Sequence, residues 1–208
     1  MSPHPPGPRD PQQAEFLRRT EHRRGKGGVP EWLEPNVQFC SRCGTNLTFG
    51  PIDGEERERL ACPACGFVSY VNPKLVVTTL PVTADGEVML IRRGIEPGYD
   101  RWAQPGGFLE IDETVRDAAI RETLEETGLR VEPGRIVGLY SRVEAAVVVV
   151  AFEARIVGGS PIVTFESLET RPFAPDAIPW SEIAFHTSVQ ALRDWIAGVR
   201  PDLELPEL

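Results

Sequence analysis

The sequence predicts an α/β chain in two folded parts: a small cysteine-bearing ribbon of strands, then a larger domain mixing strands with helices. Three observations carry this. All four cysteines fall in two Cys-x-x-Cys pairs, Cys40/Cys43 and Cys62/Cys65, with eighteen residues between the pairs. From Lys74 onward, β-branched runs (KLVVTTLPV, VMLI, AAVVVVAF) alternate with turn signals. Within that region one segment, 114–127, has helix signals at both ends.

Composition sets outer bounds. With 208 residues, 41% of them hydrophobic and 25% charged, the chain suits one substantial core plus an appendage and is neither fibrous nor wholly disordered. The longest uncharged apolar run, AAVVVVAF, falls far short of the roughly 18 residues that span a bilayer. The opening MSPHPPGPRDPQQ lacks an apolar signal region, so the cytoplasm is the expected location. The net charge of −9 is uneven: residues 1–30 carry +3, leaving −12 on the rest. An acidic body argues against an extended nucleic-acid surface, and a phosphate substrate there needs focused arginines or divalent cations.

Taken in order, the proline-rich start cannot form helix or a central strand. Residues 13–24 suit a short helix that Gly25-Lys-Gly-Gly and Pro30 end; this basic stretch lacks the spacing of a phosphate loop and reads as a linker. Residues 38–70 form the cysteine module. Gly44 and Gly66 each follow the second cysteine of a pair, where a turn lets backbone N–H groups approach the sulfurs. In a cytosolic chain this is the spacing of a four-thiolate zinc site; redox-active Cys-x-x-Cys pairs are the alternative. So short a module depends on metal for stability. Next, 74–82 and 88–91 read as a hairpin turning through Asp85-Gly86, followed by a Gly/Pro-rich loop over 94–107. Thr114 with Asp117 makes a capping pair for the helix, and Gly128 supplies its left-handed end. Strands are expected at 136–140 and 143–157, a loop or short helix at 176–185, and a closing helix at 188–197.

The helix carries Glu122, Glu125 and Glu126, which at 100° per residue share one face with Ala118 and Ala119 beside them. Ile120, Leu124 and Thr127 lie opposite and are expected to pack on the sheet. Three like charges at i, i+3 and i+4 repel unless a cation sits on them, and oxygen-only ligands favour Mg²⁺ or Mn²⁺. A solvated acidic face is the bland alternative. Against it stand Pro105-Gly106-Gly107, which brings bare backbone near the helix start, and Glu113 between the two.

Together these residues spell Gly107-x5-Glu113-x7-Arg121-Glu122-Thr123-x-Glu125-Glu126-x-Gly128-Leu129. The pattern resembles the box of the Nudix hydrolase family at every charged and glycine position. Thr123 departs from the family's aliphatic preference and is expected to point sideways. Gln104 departs where Leu or Phe commonly precedes Pro-Gly-Gly. The resemblance implies an α/β/α sandwich with a mixed sheet over 71–208, preceded by the zinc ribbon over 38–70; the basic tail over 1–37, read from its composition as disordered or partly helical, lies outside the resemblance. It implies a metal-dependent pyrophosphohydrolase in which Glu125 and Glu126 bind Mg²⁺ or Mn²⁺ and Glu122 is a further ligand or the base. Gly107 contributes its carbonyl, and Glu113 and Arg121 pair to fix the loop. Glu144, Glu153 and Glu166 are unranked candidates for an additional metal-binding carboxylate.

A ribbon ahead of such a domain resembles two groups, the longer NADH pyrophosphatases and shorter proteins associated with FAD or ADP-ribose cleavage. The Ser-Gln-Pro-Trp-Pro-Phe-Pro run of the former is absent. Asn72-Pro73-Lys74, Glu166-Ser-Leu-Glu169 and Ile178-Pro179-Trp180 look like the latter, so a small-molecule substrate such as FAD or ADP-ribose, cut to AMP, is favoured. Substrate contacts are expected from Arg92, Arg93, Trp102, Gly106 and Gly107. For Tyr70, Trp102, Phe108 and Tyr140, core packing weighs more heavily than stacking on an adenine. NADH, a nucleoside triphosphate or a capped RNA are alternative substrates. A nucleotide-sensing regulator whose ribbon binds nucleic acid is the alternative of another class. A homodimer is implied only by the family.

Overall fold

The structure, a computed structural model, describes residues 37–199, so the basic tail and its expected helix lie outside the described residues. The chain divides into two units, Met1–Val71 and Asn72–Leu208. Among the described residues no helix is long and apolar enough to cross a membrane.

In the first unit, β1 (Thr48–Gly50), β2 (Arg59–Ala61) and β3 (Val68–Ser69) form an antiparallel three-stranded sheet in that order. Each cysteine pair closes a tight knuckle. The N–H groups of Gly44 and Gly66 donate to the carbonyls of Cys40 and Cys62 at 2.9 and 3.0 Å, and both glycines take φ near +75°. The glycine N–H groups thus bond to carbonyls, and it is the Arg42 N–H that points at the Cys40 sulfur, at 3.4 Å.

The second unit is built on β4 (Lys74–Val82), β5 (Val88–Arg93), β6 (Trp102–Ala103), β7 (Gly106–Phe108), β8 (Leu129–Arg142), β9 (Val147–Gly159) and β10 (Ser167–Phe173). The strand order is β10-β5-β4-β9-β8, with β6 on β5 and β7 on β4. Only β4 and β9 run parallel, so the sheet is mixed. β4 and β5 pair only at Val82↔Val88 and then diverge, and β6 and β7 line the fork between them.

Helices cover both faces, which makes the α/β/α sandwich. Helix α1 (Val115–Thr127) packs through Ala118 and Ala119 on Val77, Val150 and Phe152. Helix α2 (His186–Ile196) packs through Ala191 and Leu192 on Leu80, Leu90, Val137 and Val149, with Trp102 and Phe173 in the same core. The expected α1 signals are all present: Thr114 and Asp117 form a reciprocal capping box, and Gly128, at φ 74°, returns its N–H to the Leu124 carbonyl.

Two expectations about α1 are overturned. Ile120 and Leu124 do not pack on the sheet; they are 40% and 43% exposed. The buried stripe is Ala118, Ala119, Thr123, Glu126 and Thr127. Small residues let the helix lie close to the sheet, so the acidic and buried faces overlap. Thr123 is accordingly buried rather than turned sideways. Its hydroxyl donates to the Ala119 carbonyl at 2.6 Å, which leaves the Thr79 hydroxyl, also 2.6 Å away, as the donor to it. The strand β10 was not expected either. It is an edge strand with one partner, β5.

Candidate active site

The site forms where β7 runs beside the acidic face of α1. Gly106 pairs with Thr78 and takes φ 151°, and a Cβ there would lie 2.6 Å from the Thr78 Cα, so only glycine fits. Its N–H donates to Glu126 Oε2 at 2.7 Å. Glu126 is only 5% exposed, and burial pushes its carboxyl up to about 8, with Glu122 and Glu166 adding to the rise and the Gly106 N–H and Arg93 opposing it. At Gly107 a Cβ would stand 2.6 Å from the Glu122 carboxylate, so the bare backbone is what admits that side chain. Burial also raises the Glu122 carboxyl, against the pull of Arg121.

Arg121 organises the remaining charges. Its Nη2 and Nε meet Glu113 at 2.6 and 2.9 Å, its Nη1 meets Glu122 at 2.7 Å and Glu125 at 3.2 Å, and Nη2 also reaches the Phe108 carbonyl at 3.1 Å. Hydrogen bonds from Arg121 hold the Glu113 carboxyl down at about 2. One guanidinium therefore joins the loop after β7 to the acidic face of α1. The donors Glu122, Glu125, Glu126 and the Gly107 backbone are oxygen-only, the chemistry a hard divalent ion takes. Among the described residues, however, only the four cysteines bring three or more side-chain ligand atoms within 4.8 Å of one another, so the three carboxylates do not converge on one point here.

Of the carboxylates outside the helix, Glu166 acts electrostatically on Glu126, whereas Glu153 pairs with Arg135 at 2.9 Å and Glu144 with Arg142 at 2.5 Å. The two expected phosphate contacts separate. Arg92 is engaged by Asp100 at 2.9 Å, while Arg93 stacks over the Phe185 ring at 5.0 Å and lowers the Glu126 carboxyl. Trp102 is 3% exposed, edge-on to Phe173 at 4.8 Å, which leaves no face for stacking on a substrate. Tyr140 is buried and donates to Asp194 at 2.8 Å. Phe108 is half exposed beneath the Lys74 ammonium, and Tyr70 lies in the first unit. Thr78, which the sequence does not single out, lies in register opposite Gly106.

In the first unit the four cysteine sulfurs lie within 4.8 Å of one another, and none is in a disulfide. The Cys40–Cys65, Cys43–Cys62 and Cys43–Cys65 separations are 3.6, 3.4 and 3.6 Å. Thiolates at about 2.3 Å around a tetrahedral zinc stand about 3.8 Å apart, so the group fits that ion. Contacts with Thr45 bring the Cys43 thiol down to about 6, while the Cys62 sulfur, burial and the other sulfurs push Cys65 up to about 12, so without a metal one thiol ionises at the expense of its neighbour.

A mixed sheet between helices, with a carboxylate helix anchored on a Gly-Gly strand, defines a Nudix hydrolase. The NUDIX domain model matches residues 72–195 and a zinc-ribbon model described as "Nudix N-terminal" matches 38–71, so the chain belongs to the Nudix family of pyrophosphohydrolases. A crystal structure of a NUDIX hydrolase from Nitrosomonas europaea is similar at a TM-score of 0.74 and 34% identity, covering 80% of this chain and 96% of that one. The NAD-capped RNA hydrolase NudC of Pseudomonas aeruginosa is 29% identical over 71% of this chain and 51% of its own length. An ADP-ribose pyrophosphatase of Methanocaldococcus jannaschii is 34% identical over 43% of this chain and 55% of its own. The chain thus spans about half the length of these two curated relatives.

Proposed function

We propose that the chain is a Mg²⁺- or Mn²⁺-dependent pyrophosphohydrolase acting on a nucleoside diphosphate linked to a second group, with ADP-ribose or FAD as substrate and AMP as one product. The observation that carries this reading is a pair of carboxylates on the Gly-Gly strand, buried Glu126 on the Gly106 N–H and partly buried Glu122 against Gly107, with Glu122 joined to Glu113 and Glu125 through Arg121.

In this reading Glu125, Glu126 and the Gly107 carbonyl would hold the divalent ion, with Glu166 the supplementary carboxylate and Glu122 left as the base. Bound there, the ion screens the diphosphate and lowers the pKa of its water. Water attacks one phosphorus, the bridging P–O bond breaks, the two phosphorylated halves separate, and Glu122 takes the proton from water. Glu113 and Arg121 keep the loop and helix in register. Arg93, whose guanidinium is not tied up by a carboxylate as that of Arg92 is, contacts phosphate. The four thiols hold a structural zinc.

NAD-capped RNA is the second reading, favoured by the printed activity of the Pseudomonas relative. Initial rates of AMP release from ADP-ribose, FAD, NADH and NAD-capped RNA, with and without Mn²⁺, separate the two. The proposal expects the first two substrates to be fastest and Glu126→Gln to abolish turnover. Metal-independent release, or unchanged rates in both Glu125→Gln and Glu126→Gln, overturns it. Binding of nucleotide with no turnover under any metal would favour a sensing role.

A further inference from the structure

Among the described residues of the catalytic unit, two side chains are buried with hydrogen-bonding capacity unused. Gln104 is 4% exposed and its Nε2 has no partner; Thr78 is 8% exposed and its Oγ1 has none. Other buried hydroxyls close by are satisfied, as in Thr79 with Thr123. A native protein rarely keeps an unpaired buried amide, because its desolvation goes uncompensated, so each instance calls for an explanation.

Register places both groups on one face. Thr78 pairs with Gly106, and the Thr79 N–H donates to the Pro105 carbonyl at 3.0 Å, so β4 continues past β7 towards Gln104. Val77 packs on the α1 side and Thr79 bonds to Thr123 of α1, which puts Thr78 on the α2 side. Trp102 belongs to the α2 core, and alternation returns Gln104 to that side. Trp102 bridges Ile183 in parallel and its carbonyl accepts from the Ala184 N–H at 2.8 Å, so the segment leading to Phe185 runs beside Gln104. Phe185 carries the Arg93 guanidinium over its ring. Gln104 is two residues from the N–H that anchors Glu126.

We infer that Gln104, with Thr78 beside it, is the specificity-determining contact for the base of the substrate, and that the base it fits is adenine. The inference rests on the proposed nucleoside-diphosphate substrate and deepens it. Neither side chain is charged, so they match the neutral end of a nucleotide rather than its diphosphate. An amide presents one donor and one acceptor side by side, the complement of an adenine edge, whose amino group donates next to a ring nitrogen that accepts. On the edge that carries the amino group and N7, hypoxanthine presents two acceptors, O6 and N7, which the amide cannot match in either orientation, so the pairing is lost there. Phe185, ringed by Arg93 on one side, offers the adjoining flat wall.

The test compares wild type with Gln104→Met, which keeps length and volume, and with Thr78→Val, using ADP-ribose and its hypoxanthine analogue. Expected for Gln104→Met is a KM for ADP-ribose raised roughly tenfold or more with kcat within about threefold, and loss of the preference for adenine over hypoxanthine. Its melting temperature should hold or rise, since an unpaired buried amide has been removed. Thr78→Val should shift KM in the same direction by a smaller factor. An unchanged KM and base preference overturns the inference, as does a lowered melting temperature with kcat and KM falling together, which would show the amide to be a structural group. Should no nucleotide be hydrolysed, the function reading falls on its own. Melting shifts produced by AMP and IMP then decide this one: a wild-type shift larger for AMP and lost in Gln104→Met supports it, and equal or absent shifts refute it.

Discussion

Glu126 couples stability to pH in a direction opposite to that of most carboxylates. Its carboxyl is 5% exposed and sits at about 8 in the folded chain, against 4.5 when unfolded. A folded-state pKa above the unfolded one means that the native protein holds a proton the unfolded chain has released. The stabilisation is therefore complete below about 4.5 and is lost as the pH rises to about 8. At about 1.4 kcal/mol per pH unit, that gap amounts to about 5 kcal/mol as an upper bound. In a domain of this size it corresponds to a melting temperature lower by on the order of 10 °C. Glu126→Gln keeps an acceptor for the Gly106 N–H and removes the titration. Thermal melts at pH 5, 6, 7 and 8, in buffer with zinc retained and no Mg²⁺ or Mn²⁺, should show the wild-type catalytic unit losing stability towards pH 8 while Glu126→Gln stays level. Adding Mn²⁺ at pH 8 should restore the wild type, because the ion selects the ionised carboxylate, and leave the variant unmoved. Parallel pH curves for the two proteins would refute the reasoning.

Gly107→Ala should separate activity from stability: the three atoms nearest the added Cβ all belong to the Glu122 carboxylate, the end of a flexible side chain, so kcat should fall at least tenfold or so while the melt moves little, whereas Gly106→Ala, meeting the Thr78 backbone, should lower both. Thr123→Val strands the Thr79 hydroxyl and should cost about 1–2 kcal/mol in denaturant unfolding, most of it recovered in the Thr79→Val/Thr123→Val double variant; a double variant as unstable as the sum of the singles refutes the pairing. Cys43→Ser should lose about one zinc per chain by elemental analysis with the catalytic unit melting where it did before, and retention of that zinc would exclude the four-thiol site. Arg121→Lys keeps the charge and loses the fork shared by Glu113 and Glu122, so kcat should drop by about tenfold or more; a wild-type rate would show that the fork positions nothing.

The legible parts of this molecule are those in which a residue type has one physical use. A Cys-x-x-Cys pair followed by glycine closes a knuckle, and Thr114, Asp117 and Gly128 bound a helix through hydrogen bonds the sequence itself supplies. Spacing on that helix also sufficed to link Glu122 and Glu125 through Arg121, although the carboxylates of Glu122, Glu125 and Glu126 do not converge as the four sulfurs do. Elements defined by their partners were not legible. The strand β10 reads SLETRPF, polar and proline-bearing, and it is a strand because the edge of β5 is there to receive it. β8 begins directly after Gly128 and passes Pro133-Gly134 through irregular register on β9, which a run of alternating residues does not reveal. Trp102, an aromatic beside the glycines, stands among the candidate substrate contacts even though core packing is its heavier reading, and its neighbours Phe173, Ile178 and Ile183 place it in the core.

The orientation of α1 shows why pattern and site diverge. Hydrophobic periodicity assigns the sheet side to Ile120 and Leu124, yet a helix rotated that way would carry Glu126 away from Gly106 and Glu122 away from Gly107. The observed rotation gives up the burial of two aliphatic side chains. In return, Ala118 and Ala119 let the helix settle on Val77 and Phe152, and the Thr79–Thr123 hydroxyl pair fixes its height on the sheet. Replacing Thr123 by the aliphatic residue common in the family would keep the rotation but lose that hydrogen bond. The short side chains, which periodicity scores as neutral, are therefore what bring the carboxylates to the backbone that holds them.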